Sequence, residues 1–491
     1  MTEPTSTENK PVYRNFPRTL GLLISAGSIF SFLVLLALDL MAPAENPYLG
    51  IFAYLLAPCC LALGLFLLAV GVVMQRRWLK RHGGGPLPPL VLIDLSQPRA
   101  LRRFLAALAG GGIFLALVSI MSYRAYHFSE SVEFCGQACH VAMEPEATAY
   151  PQGAHARVSC TACHIGPGAE WFVKAKVNGL HQVYAVWFNK YDRPIKTPIN
   201  NLRPAQDICE KCHWPEKFTG DLDRVYAHYL SDSNNTPFTV RLSLKVGGSD
   251  STHGPVGGIH WHMNVGNRVE YIATDERRQV IPWVRVTNRQ GVVTEYRTAK
   301  FKPDPAKDVI RTMDCIDCHN RPAHIFHSPN DAVDLALSLG KLDATMPFVK
   351  KNAMQVLTQK YATAEEAQQK IATTLAATYG QDPRCKNLIA VVQKIYRDNF
   401  FPLMKTDWKT HANNQGHKES LGCFRCHDGE HKTADGKKSV KASNCSACHV
   451  LLAQGRGEQL LKLNAQGKPF EHPGGDIDET KCSDCHTGGL Q

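Results

Sequence analysis

Three long runs without charged residues dominate the hydrophobic pattern at the start of the chain. They extend from Leu20 to Leu38, from Gly50 to Met74 and from Phe104 to Met121. Each is long enough, or nearly so, to cross the ~30 Å hydrocarbon core of a bilayer as a helix. A cleaved signal peptide is the alternative for the first run, but a suitably placed small-residue cleavage site is lacking and two more runs follow. The pattern therefore predicts a three-span anchor over residues 1–126.

Basic residues are distributed unevenly between these runs. Residues 42–49 contain no Lys or Arg, whereas the loop between the second and third runs is rich in them: Arg76, Arg77, Lys80, Arg81, Arg99, Arg102 and Arg103. Short basic loops are retained in the cytoplasm. The N-terminus is therefore predicted to be cytoplasmic, and everything after the third run to lie on the far side, the periplasm of a bacterial inner membrane.

Beyond the anchor, the pattern changes from period two to helical spacing. Apolar residues alternate with polar ones from Phe238 to Val246, which predicts a strand. Further strands are predicted at 268–273, 279–287 and 292–297. Between about 329 and 400 the apolar spacing is helical, and helices are predicted at 331–339, 347–361, 364–379 and 385–399.

Fourteen of the seventeen cysteines form seven pairs, each followed directly by a histidine. The first pair has three residues between its cysteines and the others have two; they are Cys135/Cys139–His140, Cys160/Cys163–His164, Cys209/Cys212–His213, Cys315/Cys318–His319, Cys423/Cys426–His427, Cys445/Cys448–His449 and Cys482/Cys485–His486. Cys-x-x-Cys-His is the signature of covalent c-type haem, in which the thiols bind the porphyrin and the histidine binds the iron. A zinc ribbon would not need a histidine after every pair. The chain is therefore predicted to carry seven covalent haems.

The remaining cysteines and the charge balance change this picture little. Cys59, Cys60 and Cys385 are predicted to be buried thiols. The formal charge is +11, but each ferric haem with two propionates adds about −1, so the cofactor's own charge has to be counted. The basic composition is accordingly no argument for nucleic-acid binding.

Low-spin haems usually have a second strong axial ligand, and several histidines near the motifs are candidates. His260 and His262 flank Trp261, and we favour His260 of the two. The other candidates named by position are His324, His417, His431 and His472. Five histidines are predicted to make ordinary hydrogen bonds instead: His127, His228, His253, His327 and His411.

Residues Phe134 to Ala185 resemble the NapC/NirT/NrfH family of membrane-anchored quinol dehydrogenase cytochromes. The matching features are CHVAMEP around Met143, the G-x-H ending at His155, and KAKVNGLH from Lys174 to His181. The resemblance implies that His155 and His181 are distal ligands. It also implies that Met143 binds the first iron, and that a lysine, Lys174 or Lys176, lies beside the quinol. The alternative for Met143 is that it only packs against its neighbours. The alternative for the two lysines is that they are solvated or pair with haem propionates.

These observations predict a membrane-anchored multihaem cytochrome c. Three transmembrane helices are followed by a mostly α-helical and irregular, haem-packed periplasmic domain with a small β insert. The predicted segments are the anchor, 1–126; a NapC/NrfH-like part with haems one to three, 127–236; the β insert, 237–300; haem four and helices, 301–410; and a three-haem C-terminal segment, 411–491.

The resemblance implies that membrane (mena)quinol is oxidised near the first haem. Electrons then pass through seven haems to a periplasmic cytochrome or reductase, in anaerobic or extracellular respiration. Among family members, the chain looks most like the seven-haem inner-membrane cytochromes of metal-respiring bacteria. A terminal reductase of a small nitrogen or sulfur oxyanion is the alternative. A membrane-bound redox sensor is weaker, since no signalling domain is visible, and oligomerisation is left open.

Overall fold

The structure is a computed structural model, and it describes eleven stretches of the chain. These are residues 15–41, 56–81, 96–138, 140–166, 168–199, 203–214, 217–247, 257–264, 266–441, 445–475 and 481–489. The segment 42–49, which lacks Lys and Arg, and much of the basic loop predicted to be cytoplasmic lie outside these residues. The chain forms two compact units, residues 1–127 with 167–177 and residues 128–166 with 178–491.

The first unit contains three long helices, α1 (Phe16–Met41), α2 (Ala57–Arg81) and α3 (Pro98–Ser129). Helices α1 and α2 pack closely through small residues. A Cβ at Gly21 would lie 2.6 Å from the backbone nitrogen of Leu68, and one at Gly71 would lie 2.7 Å from the backbone of Arg18. Small residues let apolar helices approach each other in this way within a membrane.

The prediction of three membrane spans is corrected to two. Within the described residues, only Phe16–Leu36 and Ala57–Arg81 are helices long and apolar enough to cross a membrane. The third predicted run, Phe104–Met121, is helical and lies inside α3. However, the side chains at several of its positions are outside the described residues, and the run contains three consecutive glycines, 110–112. Local hydropathy alone thus overcounted the spans.

The three cysteines outside the motifs are not all buried as predicted. Cys385 is buried at the start of a helix of the second unit, which confirms the prediction there. Cys59 and Cys60 are exposed on α2, so the prediction is wrong for both. The reason is that α2 buries a narrow stripe of small residues that includes Gly64 and Gly71, and these cysteines lie outside that stripe.

The second unit contains the remaining helices, apart from the first residues of α6. They are α4 (His140–Ala149), α5 (Cys160–His164), α6 (Ala169–Trp187), α7 (Gln206–Cys209), α8 (Cys315–Cys318), α9 (Pro329–Ser338), α10 (Val349–Leu357), α11 (Ala364–Tyr379), α12 (Cys385–Asn399) and α13 (Cys482–Cys485). The four helices predicted between 329 and 400 are confirmed as α9 to α12, with ends that differ by a few residues for the first two.

Two antiparallel sheets organise the middle of this unit. The first has the order β1 (Asp221–Tyr229), β2 (Pro237–Lys245) and β7 (His449–Gly455). The second has the order β5 (Val293–Arg297), β4 (Trp283–Thr287), β3 (Arg268–Ile272) and β6 (Ile310–Thr312). The predicted strands are confirmed, and the first sheet also takes in strands from outside 237–300.

Helices α9 to α12 form a bundle with an apolar core. Val333, Val349, Leu357 and Ile371 are completely buried there. A buried ion pair fixes the start of the bundle, since the Lys350 ammonium donates to the Asp334 carboxylate at 2.6 Å. The bundle therefore holds together through its own side chains.

Candidate haem sites

Each described motif forms a short helical turn that brings its residues to one side. In four motifs the backbone N–H of the histidine donates to the carbonyl of the first cysteine, at 2.7 to 3.0 Å. The residues concerned are His213, His319, His427 and His486. Positions three and four residues apart lie on the same face of a helix. The local fold therefore places both thiols and the imidazole where all three can bind one haem.

The first motif accommodates its extra residue in a wider turn. Residues Phe134–Ala138 form a π-helix, the geometry in which the chain takes about one more residue per turn. Cys139 and the side chain of His140 lie outside the described residues.

The thiols of the motifs differ in burial. The six motifs with two-residue spacing each contain one exposed cysteine, and these are Cys163, Cys212, Cys318, Cys423, Cys445 and Cys485. Their partners within the same motifs are half-buried. Each pair therefore lies at the edge of the protein interior, with one thiol facing inward and one facing outward.

The third motif shows this difference within one turn. The side chain of Cys212 is exposed, and so are those of its neighbours Lys211 and His213, whereas Cys209 at the start of the motif is half-buried. The backbone N–H of Cys212 donates to the Cys209 carbonyl at 3.1 Å, in the turn at the end of α7. The role of Cys212 as a haem-binding thiol stays a prediction.

Six motif histidines each face a second histidine. The ring centroids are 6.4 Å apart for His164 and His324, 5.9 Å for His213 and His155, 6.3 Å for His319 and His260, 5.9 Å for His427 and His262, 6.2 Å for His449 and His417, and 5.8 Å for His486 and His472. Because a metal–imidazole bond is about 2 Å long, two imidazoles on opposite sides of one metal have centroids about 6 Å apart. The spacing of all six pairs fits a haem iron between the rings.

The hydrogen bonds of four of the partner histidines also suit iron binding. Their Nδ1 atoms lie 2.8 to 3.1 Å from backbone carbonyl oxygens: His155 from Pro322, His260 from Val246, His262 from Ile259 and His324 from Glu146. A carbonyl at Nδ1 fixes the proton there and orients the ring, so that Nε2 is the free ligand atom.

Burial keeps many of these imidazoles neutral. It lowers the pKa of His324 to about 4, with a smaller effect from the Arg321 and His164 charges. It lowers the pKa of His427 to about 4 in the same way, assisted by His262. A metal ligand must be unprotonated, so these positions are prepared for binding near neutral pH.

Two of the predicted distal ligands behave differently. His431 is buried, with Nδ1 2.8 Å from the Asp428 carboxylate and Nε2 2.7 Å from the Ile281 carbonyl. Both of its ring nitrogens are occupied, so the predicted ligand role is corrected to a structural one. His181 is exposed on α6, and within the described part of the chain it makes no ring contact with a motif histidine. Its ligand role stays a prediction.

His262 is a functional candidate that the sequence undervalued. The pattern favoured His260 as the one ligand of the pair, whereas the structure turns the two rings toward different motifs. The signal was the alternation itself, since two histidines separated by one residue can point in different directions.

At His472, Nδ1 accepts the backbone N–H of Gly474 at 3.1 Å instead of facing a carbonyl.

Two of the histidines predicted to make ordinary hydrogen bonds have side-chain partners of that kind. His228 contacts Asp334 at 3.1 Å, and His411 contacts the Thr197 hydroxyl at 3.0 Å. His253 lies outside the described residues.

The residues predicted to bind quinol belong to different units. Met143 is half-buried on α4. In the first unit, the Lys174 ammonium lies 4.9 Å from the centroid of Trp171, and the Lys176 ammonium lies 5.1 Å from that of Phe172. Phe172 in turn contacts Tyr126 of α3, with a centroid distance of 6.5 Å. Cations over aromatic faces are stabilised electrostatically.

Neighbouring motifs contact one another directly. A hydrogen bond between the thiols of Cys209 and Cys315 lowers the pKa of Cys209 and raises that of Cys315. The Asp314 carboxylate, which caps α8, also accepts the backbone N–H of Ala205 at 2.9 Å, just before α7. The third and fourth motifs are therefore adjacent.

The second and third motifs are close to each other as well. Burial raises the pKa of the Cys163 thiol, and the thiols of Cys209, Cys160 and Cys212 raise it further in that order. Because such electrostatic effects fall off with distance, Cys212 lies near the second motif although it is exposed.

Comparisons with known proteins agree with this chemistry. Residues 98–213 match the model of the NapC/NirT cytochrome c family, N-terminal region. The chain is 40% identical over 482 residues to the cytochrome c-type protein ImcH of Geobacter sulfurreducens, which covers 95% of this chain and 94% of the relative. No solved structure matches. A c-type cytochrome carries covalently bound haem c and transfers electrons in respiration, and two apolar N-terminal helices suit a membrane anchor. The chain belongs to the NapC/NirT family of c-type cytochromes.

Proposed function

We propose that this cytochrome is a quinol dehydrogenase with seven haems. Membrane quinol is oxidised near the first motif, and the electrons leave through the haem sites to a periplasmic cytochrome or reductase. The observation that carries the proposal is the set of six histidine pairs at 5.8 to 6.4 Å, each of which contains one motif histidine. Two nitrogen ligands at each iron would favour electron transfer over substrate binding, because they would leave no open position.

This geometry supports the assignment of five distal ligands. His324 would bind the iron of the second motif, His155 that of the third, His260 that of the fourth, His417 that of the sixth and His472 that of the seventh. Haem supplies one-electron redox chemistry when bound, and these residues hold and orient it. At the first site we assign Met143, whose thioether would raise the potential relative to a second histidine.

The haem count is tested on the purified protein by mass spectrometry and haem staining. Seven covalent haems are expected. Five or fewer would refute the count, and a single missing haem would point to the wide Cys135/Cys139 motif. The Cys135→Ala variant tests that motif directly. It should remove one haem if the wild-type protein carries seven.

The quinol site is proposed to lie at the membrane surface near the first motif. In the sequence, Cys135 follows the last residue of α3 by only six positions, which supports a site close to the anchor. Quinol releases two electrons and two protons, and its oxidation therefore needs groups that hold its hydroxyls and accept a proton. Lys174, Lys176, Glu144 and Glu146 are the candidates.

The test measures reduction of the haems by a quinol analogue in the Met143→Ala and Lys176→Ala variants. We expect slower reduction in both, with an unchanged total absorbance change on dithionite addition. Lys211→Ala, on the exposed third motif, is the control and should reduce at the wild-type rate. Wild-type rates in both test variants would move the quinol site elsewhere. Turnover of nitrite or hydroxylamine without any quinol oxidation would favour the terminal-reductase alternative.

The haem segment is proposed to lie in the periplasm of a bacterial inner membrane, where c-type haem is attached. With the two spans α1 and α2, residue 90 would lie on the same side of the membrane as the haem segment, although the seven basic residues between 76 and 103 favour the cytoplasm for that stretch. Alkaline phosphatase fused at residue 90, at residue 130 and after residue 491 should therefore be active at all three positions. An inactive fusion at residue 90 beside active fusions at the other two would show that α3 also crosses the membrane, and inactivity at all three would reverse the sidedness.

A further inference from the structure

A short 3₁₀-helix, Ile259–Met263, holds two histidines in a fixed relation. Gly258 starts it with φ of 74°, and a Cβ at this position would overlap the carbonyl oxygen of Lys245 at the end of β2. Only glycine adopts this conformation without strain. The Asn267 amide donates to the Trp261 carbonyl at 3.1 Å. The segment is therefore tied to strand β2 on one side and to the loop before β3 on the other.

The two histidine rings of this helix face different motifs. His260 pairs with His319 at 6.3 Å and an interplanar angle of 5°. His262 pairs with His427 at 5.9 Å and 81°. Each has its own carbonyl at Nδ1, Val246 for His260 and Ile259 for His262. Neither histidine has to share an iron with the other.

We propose that His262 is the distal ligand of the fifth haem, and that the His260–Trp261–His262 segment joins the fourth and fifth haems as the entrance to a C-terminal electron path. This inference rests on the proposed function, in which quinol is the electron source, and adds the direction in which the electrons leave. Beyond the family-matched residues 98–213, the path runs through the fourth, fifth, sixth and seventh sites in order.

Hydrogen bonds between the fourth and fifth motifs carry the first step of this order. The buried Arg425 guanidinium, inside the fifth motif, donates to the carbonyl of Asp317, inside the fourth, at 2.6 Å. The Asn414 amide donates to the same carbonyl at 3.1 Å. Asp317 is itself held by the Tyr271 hydroxyl at 2.5 Å and by Arg278 at 3.2 Å. The two motifs thus share one rigid hydrogen-bonded support.

Side-chain and backbone contacts also connect the fifth, sixth and seventh sites. His417 precedes the fifth motif by a few residues, yet its ring faces His449 of the sixth. His449 is the first residue of β7 and is paired in register with Leu244 of β2. Further along β7, the Gln454 amide donates at 3.2 Å to the carbonyl of Glu471, which adjoins His472 of the seventh site. The fifth, sixth and seventh sites therefore follow one another in space as they do in sequence.

Ligand identity is tested first, by the spin state of the haems in purified variants. His260→Ala and His262→Ala should each convert one low-spin haem to high-spin, and the double variant should convert two. His431→Ala is the matched control near the fifth motif and should leave all low-spin haems unchanged. If the double variant converts only one haem, or if His431→Ala converts one and His262→Ala none, the assignment is overturned.

The order is tested by breaking the path at the fifth site. Each quinol gives up two electrons, each electron reduces one ferric iron, and the two protons go to solvent. In a Cys423→Ala/Cys426→Ala variant, the haems before the break should be reduced quickly by a quinol analogue, and the two beyond it in a separate slow phase. Cys482→Ala/Cys485→Ala removes the last site and should leave only the fast phase.

The outcomes separate the two levels of the proposal. If no haem of the wild-type protein is reduced by quinol, the proposed function fails, whatever the order. If quinol reduces the wild type but all remaining haems of the fifth-site variant react in one fast phase, the order fails and the function stands. Should the cysteine variant not accumulate, Cys445→Ala/Cys448→Ala breaks the path at the sixth site instead. The last haem alone should then be reduced in a slow phase, and the absence of that phase refutes the order.

Discussion

The helical bundle, residues 329–399, and the C-terminal haem segment, residues 411–491, solve the problem of building a core in opposite ways. The bundle buries a continuous set of apolar side chains, many of them completely. In the described residues of the C-terminal segment, the buried apolar side chains are only Leu451 and Ala453. Yet this short segment contains three haem motifs.

The difference shows that two sources of stability coexist in one chain. Burial of apolar side chains drives folding of the bundle, and a porphyrin is itself a large apolar group whose burial can do the same. With three haems bound as proposed, the cofactors would supply the interior that the side chains of the C-terminal segment do not. Four expected results, from the largest effect to the smallest, test this contrast.

Removing the haems should separate the two regions most clearly. In protein produced without haem attachment, peptides from 423–489 should lose protection in hydrogen-exchange mass spectrometry, because little apolar surface is left to bury. Peptides from 349–399 should stay protected. Equal loss of protection in both regions would show that the bundle also depends on the haems.

Breaking the buried ion pair should destabilise the bundle and its contact with β1, where the Asp334 carboxylate also contacts His228. Asp334→Ala leaves the Lys350 ammonium buried without its carboxylate, which costs about 3–5 kcal/mol in the free energy of unfolding. The measurement is denaturant unfolding of the haem-loaded protein, followed by far-UV circular dichroism. The control is Asp398→Ala, which removes a pair with the exposed Lys394 and should have little effect. Similar losses in both variants would argue against a buried pair.

Truncating a core side chain of the bundle should have a somewhat smaller effect. Leu357 is completely buried, so Leu357→Ala should lower the free energy of unfolding by about 2–5 kcal/mol and leave the haem absorbance unchanged. Leu461→Ala provides the comparison in the C-terminal segment, where this leucine is 80% exposed and its loss should be nearly neutral. A larger effect at Leu461 would contradict the contrast.

The smallest effect concerns acid sensitivity at the start of the C-terminal segment. Burial, with smaller contributions from Arg321 and Arg277, lowers the pKa of His411 from 6.5 to about 4. The unfolded chain then takes up a proton before the folded one. Stability is therefore lost as the pH falls from 6.5 to about 4, by up to about 3 kcal/mol. His411→Gln should flatten the pH dependence of unfolding over this range, whereas Lys409→Ala, at an exposed position, should not.

Local features of the sequence predicted the parts of the fold that depend on local chemistry. The motif turns, the alternating strand from Phe238 and the helices up to Asn399 all follow from spacing within a short window. Distal ligands depend on contacts between distant segments. His417 and His431 look alike in sequence, but Asp428 and the Ile281 carbonyl occupy both ring nitrogens of the second. The third membrane run shows the same limit, since hydropathy measures composition and not membrane crossing.

The burial of individual thiols also could not be predicted from the local sequence. Cys209 and Cys212 belong to one motif and are separated by a single turn, yet the first is half-buried and the second is exposed. What separates them is Cys315, a distant residue whose thiol contacts Cys209. The motif spacing specifies which residues can bind a porphyrin, whereas the side of the turn that faces the protein is decided by segments far away in the chain.

The pairing of His164 with His324 has a consequence for how the protein is made. Six of the strands in the described residues separate the two histidines, so His324 is synthesised well after the cysteines of the second motif. Haem can be attached to Cys160 and Cys163 as soon as they emerge. If His324 is the distal ligand of the second haem, that site would lack its second ligand until the chain after the fourth motif has been made. Completion of this site would then be a late step of maturation, and a protein truncated before residue 324 should carry a high-spin second haem.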